Sequence, residues 1–333
     1  MSAQLQGVQP NRADDRGARE SGLGRTLVDI LARFAPLFIL AALLVAGTLV
    51  NPNFWALNNI RNMLTQNASV SLVAFGMTLV IISGVFDLSV GAIFAAGSVS
   101  FAMLSNQMPM APAAALSVLV GVAAGAINGY VVNALKVNSF IGTIATGAVF
   151  SGLVYIACNS SPVQAKSEGY DTLGLGRIWE MPWAVVCVVV AYLICAGLLN
   201  KTIFGRYVFA SGGNAEAALL NGIPVHTVRM WCFIVVGALA AFGGIVTGSQ
   251  LGLGQPTLGA NIALDAFAIV VIGGTSVYGG RGAIWRTLTG VLILATLTNI
   301  FNAMAWDTTR QSVAKGLIVI AAVALDAVRR SRR

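Results

Sequence analysis

The stretch Asp265–Gly282, DAFAIVVIGGTSVYGGRG, decides how this chain has to be read. An apolar run from Ala266 to Ile272 gives way to a loop holding Gly273, Gly274, Thr275, Ser276, Gly279, Gly280 and Arg281, with Gly282 closing it. Glycine admits positive φ and close backbone approach, so such a loop turns sharply and presses on a neighbour. A phosphate cradle would need GxxxxGK[ST], and no lysine follows these glycines. The loop therefore takes its meaning from its setting, which is apolar on both sides.

That setting extends along the chain. Of 333 residues, 57% are hydrophobic and 10% charged, with a mean hydropathy of +0.81, against about 25% charged in soluble domains. Runs able to cross a bilayer, each needing about 20 mainly apolar residues, recur at roughly 34–50, 68–83, 88–104, 111–135, 139–158, 182–199, 230–248, 262–277, 283–304 and 311–328. The expected fold is an all-α polytopic membrane protein of about ten transmembrane helices, with both termini cytoplasmic. Residues 34–328 form its membrane domain, with a cytoplasmic loop at about 200–229. Residues 1–33 read as a polar tail without a secretory leader, and 329–333 as a basic tail.

The net charge of +8 would suit nucleic acid only if it were clustered. With ten spans and a cytoplasmic N-terminus, 15 Lys and Arg fall on the cytoplasmic side and 4 on the other, with Lys315 inside the last span. This is the positive-inside bias that orients membrane proteins, and nucleic acid drops out as a partner. All six tryptophans lie at or near span ends, where the amphipathic ring prefers to sit. The four cysteines show no CxxC spacing and read as packing residues, not metal ligands.

Individual residues sharpen the picture. Asp87 sits in a tight connection between spans and must face protein or water; it is either a cap for the next helix or part of a transport path. Gly121, Gly125 and Gly129 share one helical face, and Gly244 and Gly248 repeat the spacing, as small-residue packing stripes do in membranes. The segment 159–181 has mixed charge and reads as either a surface for a soluble partner or a solvated loop. Within 200–229, Asn214 is an N-cap, Glu216 complements the helix dipole, and Gly222 followed by Pro224 ends the turn. This short helix leaves Leu219, Leu220 and Ile223 to dock in a partner's groove or on the membrane surface. A faint echo links Ser83-Gly84…Gly91-Ala92-Ile93 to Gly273-Gly274…Gly282-Ala283-Ile284.

No acid–base pair, nucleophile or metal cluster emerges, and His226 is the lone histidine, so catalysis by this chain is not expected. Ion-coupled carriers keep ionisable groups near mid-membrane; here Asp265, Arg286 and Lys315 are the few on offer. Transport energy is then expected from a partner ATPase, the alternative being a stand-alone facilitator or secondary carrier.

At this point the residues resemble a known family. Glu216-Ala217-Ala218-x3-Gly222 is similar to the EAA-x3-G loop of bacterial ABC-importer permeases, and Gly212-Gly213-Asn214 resembles the GGN opening it in ribose-type permeases. Met77–Ile81, Asp87-Leu88-Ser89-Val90-Gly91 and Gly273-Gly274-Thr275-Ser276-x2-Gly279-Gly280-x-Gly282 look like signature stretches of the monosaccharide permeases. Two departures are Gly84-Val85-Phe86, where the family often has paired glycines, and Ala263, where it commonly has an acid. The resemblance implies a bacterial inner-membrane permease working with an ATP-binding cassette ATPase, an extracytoplasmic sugar-binding protein and a second permease subunit. ATP and Mg would be bound by the ATPase, with no cofactor in this chain. Asp87, Ser89, Gly91, Asp265 and the 273–282 loop would belong to the translocation path. Gln66, Asn67, Asn128, Asn299 and Asn302 are candidates to meet a neutral polyhydroxyl solute.

Overall fold

Backbone N–H and C=O groups in hydrocarbon have no water to bind, and a helix satisfies them within one segment. The computed structural model describes residues 34–331, and a helix falls within every predicted span, that at 262–277 ending early at Ile272. The helices are α1 (Phe34–Val50), α2 (Leu57–Gln66), α3 (Ala68–Ile82), α4 (Val90–Ser105), α5 (Met110–Asn133), α6 (Ser139–Ala157), α7 (Thr172–Leu175), α8 (Trp183–Lys201), α9 (Ile203–Gly213), α10 (Ala215–Leu220), α11 (Val225–Leu251), α12 (Ile262–Ile272), α13 (Ile284–Ala303) and α14 (Thr308–Ser331). The helices α5, α6, α8, α11 and α13 are each long and apolar enough to cross a membrane, and α2 with α3, bent by 49° at their junction, passes the same test as a pair. Helices α1, α4 and α12 are shorter apolar helices. The protein is a polytopic, all-α integral membrane protein.

Three readings change. Residues 57–66, between the first two predicted spans, fold as α2 and not as a linker: Leu57, Ile60, Met63 and Leu64 give it an apolar face that its asparagines obscure. Helix α9 fills 203–213 ahead of the predicted short helix, opened by the Thr202 hydroxyl accepting from the Gly205 N–H at 3.2 Å. Helix α14 runs on to Ser331, so the tail expected from 329 does not begin with a break. The tail 1–33 lies outside the described residues.

The bundle is built around α11. Gly121 and Gly125 of α5 lie against the Gly237 and Phe233 carbonyls, and Gly244 lies against the Phe94 carbonyl of α4. The small-residue stripes are packing faces, as their spacing predicts.

Helix α11 also serves as a ruler. The end of α3 is level with Arg229, whose Nε donates to the Ser83 carbonyl at 3.2 Å. Phe94, in the second turn of α4, packs against Gly243 and Gly244. Fourteen to fifteen residues at 1.5 Å each separate those levels, about 20 Å, so the chain climbs back into the bundle before α4 starts. The segment 252–261 does the reverse: Gly254 backs onto Ser98 and Val99, and Gly259 onto Gly91. Helix α12 therefore starts inside the bundle, and its 11 residues cover only about half of a ~30 Å hydrocarbon core.

At the far end of α4 and α11 the segment 159–182 is a folded cap whose side chains are mostly exposed. β1 (Val163–Gln164) pairs antiparallel with β4 (Leu253–Gly254), and β2 (Arg177–Ile178) with β3 (Met181–Pro182). Tyr170 stacks on Phe101 at 4.8 Å. The Ser249 hydroxyl donates to the Tyr170 carbonyl at 2.6 Å and accepts from the Gly174 N–H at 2.8 Å.

Candidate functional site

Two helices beginning inside the bundle create the site. The first turn of α4 and the segment entering α12 cross so tightly that a Cβ on Gly259 would sit 1.7 Å from the Gly91 carbonyl oxygen. Irregular backbone at membrane depth is tolerated where it is buried in protein or lines a cavity, and this molecule uses both solutions.

The 83–89 connection is the buried case. Its Phe86 N–H donates to Ser139 Oγ at 3.1 Å and its Leu88 N–H to Thr143 Oγ1 at 3.0 Å, both acceptors on α6. Asp87, fully buried, accepts from the Ser89 N–H at 2.9 Å and the Ser89 hydroxyl at 2.6 Å. Asn128 Nδ2 donates to Ser89 Oγ at 2.6 Å and more weakly to both Asp87 oxygens, while its Oδ1 accepts from Thr146 at 2.5 Å. Asp87 thus satisfies the N-cap residue Ser89 of α4 itself rather than the first-turn N–H groups that a capping side chain usually reaches. Asn128, a predicted solute-path residue, closes this network and has no exposed surface.

The second glycine loop meets the first at one end of the bundle, together with the end of α9. The Gly280 N–H donates to the Ile82 carbonyl at 2.9 Å. Gly212 sits so close that an added Cβ would lie 1.7 Å from the same oxygen and 2.7 Å from the Gly280 nitrogen. Gly84 and Gly279 complete the contact, 3.3 and 2.9 Å from Gly212 atoms on the same construction. The sequence stretches around Asp87, around Gly279 and around Gly212 are therefore one assembly. Thr275 is buried within the loop, which Ser276 and Arg281 close by a backbone bond of 2.9 Å.

Helix α10 projects from this assembly. The Asn214 side chain accepts from the Ala217 N–H at 2.9 Å. At the other end the Gly222 N–H reaches the Leu219 carbonyl and the Ile223 N–H the Ala218 carbonyl, both at 3.0 Å, with Gly222 at φ 79°. These are the paired bonds of a Schellman stop. Ala218 is buried, whereas Glu216, Ala217, Leu219 and Leu220 are exposed, Leu220 by 84%.

Between α2, α3, α4, α11, α12, α13 and α14 lies a cleft of about 290 Å³. Gln66, Asn67, Ser69, Thr247, Gln250, Asp265, Thr298 and Lys315 supply its polar lining, with Val70, Phe94, Leu258 and Ile262 between them. Asp265 Oδ2 and Lys315 Nζ face each other at 3.9 Å, and Thr298 Oγ1 is buried without a hydrogen-bond partner. Of the five predicted solute-path residues, Gln66 and Asn67 line the cleft. Asn299 instead exchanges amide hydrogen bonds with Asn59 of α2, at 2.9 and 3.5 Å, and Asn302 accepts from Gln311 of α14 at 2.9 Å. Thr247, Gln250 and Thr298 belong to none of the motifs read from the sequence. Thr247 and Gln250 are one helical turn apart just before the glycine stop of α11, which is the signal that marks them.

A helix bundle with interrupted spans around a polar cleft, and a capped helix exposed at one end, has the anatomy of a solute permease. Residues 59–323 match the family described as the permease component of the branched-chain amino acid transport system, and the chain belongs to that family. Within it, the chain is similar to the ribose import permease of Bacillus subtilis strain 168, 39% identical over 303 residues covering 89% of this chain and 93% of the relative. It is 33% identical to the ribose import permease of Haemophilus influenzae, over 91% of this chain and 94% of that one. The L-arabinose transport permease of Escherichia coli K12 is 34% identical over 88% of this chain and 90% of its own length. No solved structure matches the chain.

Proposed function

We propose that this chain is the permease subunit of an ATP-driven importer for a pentose or related polyhydroxyl solute, working in the bacterial inner membrane. The single observation carrying this reading is α10: a two-turn helix stopped by its own caps, exposing Leu219 and Leu220, rooted in the glycine assembly of the 83–91 and 273–282 loops. A stand-alone carrier has no evident need of it. An ATP-binding cassette ATPase docks on α10, binds ATP and Mg, and moves α10 against the Gly84–Gly212–Gly280 contact. Both loops lead into the helices that frame the cleft, so the cleft responds to the ATPase. The α10 end of the bundle is cytoplasmic, as are both termini, and an extracytoplasmic sugar-binding protein delivers the solute at the folded cap. A second permease subunit completes the pathway, whose amide and hydroxyl side chains, with Asp265 and Lys315 forming a pair neutral overall, suit a neutral polyol. The sugar class rests on the ribose and arabinose permeases among the relatives.

The test is co-purification of the tagged chain with its ATPase, followed by sugar uptake in proteoliposomes. Wild type should retain the ATPase and take up sugar only with ATP, whereas Glu216→Lys/Gly222→Asp should insert normally and lose both. Equal ATPase recovery by both forms would reject α10 as the docking element. Uptake without nucleotide would make the chain a facilitator.

A further inference from the structure

We infer that Asp265 and Lys315 are the pair that engages the solute's hydroxyl groups, and so set which polyol passes; this rests on the importer reading above. The two groups lie on α12 and α14 and both line the cleft. Their separation of 3.9 Å is longer than the 2.7–2.9 Å typical of a charge-assisted hydrogen bond. Each head keeps bonding capacity, since a carboxylate offers about four lone-pair sites and an ammonium three donors. Both side chains are partly accessible, 30% for Asp265 and 22% for Lys315.

The chemistry this matches is a pair of neighbouring hydroxyls. One hydroxyl donates to the Asp265 carboxylate while its oxygen, or that of its neighbour, accepts from the Lys315 ammonium. Because the pair is neutral overall, it binds an uncharged polyol without leaving either charge unpaired, and a charged solute would upset it. Thr298 adds a buried hydroxyl without a partner at the same cleft, and Gln66, Asn67 and Gln250 provide amides around it. Polar groups left without partners carry a desolvation cost that a ligand relieves. The depth is appropriate as well, because α12 starts inside the bundle and Asp265 lies in its first turn.

A purely structural ion pair would occupy the same place, and the two roles separate by experiment. The permease is reconstituted with its ATPase and binding protein, and ATP-dependent import is measured for D-ribose, L-arabinose and each singly deoxygenated analogue of the better substrate. Asp265→Asn should reduce import of the parent sugar about 10- to 100-fold, the range for losing a hydrogen bond to a charged group. The loss should largely vanish for the one analogue lacking the engaged hydroxyl. The neutral double variant Asp265→Asn/Lys315→Met should be at least as impaired as Asp265→Asn. If the double variant recovers wild-type import, the pair serves only to neutralise itself, as buried ion pairs replaced together often tolerate, and the inference fails. An equal loss for every analogue also overturns it. Wild-type complex that imports neither sugar with ATP would overturn the importer reading, and this inference with it. Monodisperse elution of each variant in detergent separates these outcomes from misfolding.

Discussion

The loops Ser83–Ser89 and Gly273–Ala283 start in the same way and then part. In the first, the Gly84 and Val85 N–H groups return to the Ile81 and Val80 carbonyls; in the second, those of Gly274 and Thr275 return to Val271 and Val270. Gly84 at φ 83° and Gly274 at φ 91° make both turns possible. An arginine from the following or neighbouring helix then holds each stop: Arg229 donates to the Ser83 carbonyl and Arg286 to the Gly274 carbonyl, both at 3.2 Å. Beyond this point the first loop climbs into the bundle, where α6 hydroxyls and Asp87 satisfy its backbone. The second folds back on itself at the bundle end, with Tyr278 54% exposed. One helix stop thus serves two purposes, and the outcome is decided by the polar groups waiting on the neighbouring helices.

The largest effect is expected where the loops touch. Gly212→Ala would place a methyl group into two backbones that cannot yield, at or above the top of the ~1–3 kcal/mol overpacking range. Thermal melting in detergent should show the variant as the least stable of the set. Asp87→Ala comes next: it strips acceptors from Ser89 and Asn128 in a buried network, at about 1–3 kcal/mol per unsatisfied group. Loss of Asn128→Ala's own additional effect on the Asp87→Ala background would verify that the two act together. Gly84→Ala and Gly274→Ala both force a side chain into left-handed backbone, at about 1–3 kcal/mol. Gly84 should cost more, since its Cβ would lie 3.3 Å from the Gly212 Cα, whereas that of Gly274 meets nothing nearer than Pro36 at 3.6 Å. Equal melting temperatures for these two variants would refute the packing difference between the loops. Gly213→Ala is the mildest. A Cβ there meets nothing within 4 Å, and the substitution should be neutral or stabilising by up to about 1 kcal/mol.

Much of this was legible in local sequence because its causes are local. Asn214, Gly222 and Pro224 bracket α10 with residues that act within one turn, and the apolar runs announce their own helices. The echo between the two glycine stretches, faint as a string of letters, corresponds to identical helix stops. What escaped depends on distant partners. Asn128 and Asn299 look alike as polar residues in apolar helices, yet one is claimed by Asp87, 41 residues away, and the other by Asn59, 240 residues away. The segment 252–261 reads as an ordinary connection, since nothing in its composition reveals that it runs down the side of α4. For the same reason Thr247, Gln250 and Thr298 join a cleft that only the crossing of α4 and α12 creates.

The half-depth start of α12 also bears on how the protein is made. An 11-residue helix falls well short of the ~20 apolar residues that hold a segment across a bilayer. It cannot be laid down by the insertion machinery as an independent span, and its preceding ten residues would leave bare backbone in lipid. That backbone is covered by α4, synthesised some 150 residues earlier. Completion of α12 must therefore wait until α4 and α11 have found each other, which makes the chain from α12 onward dependent on their prior assembly.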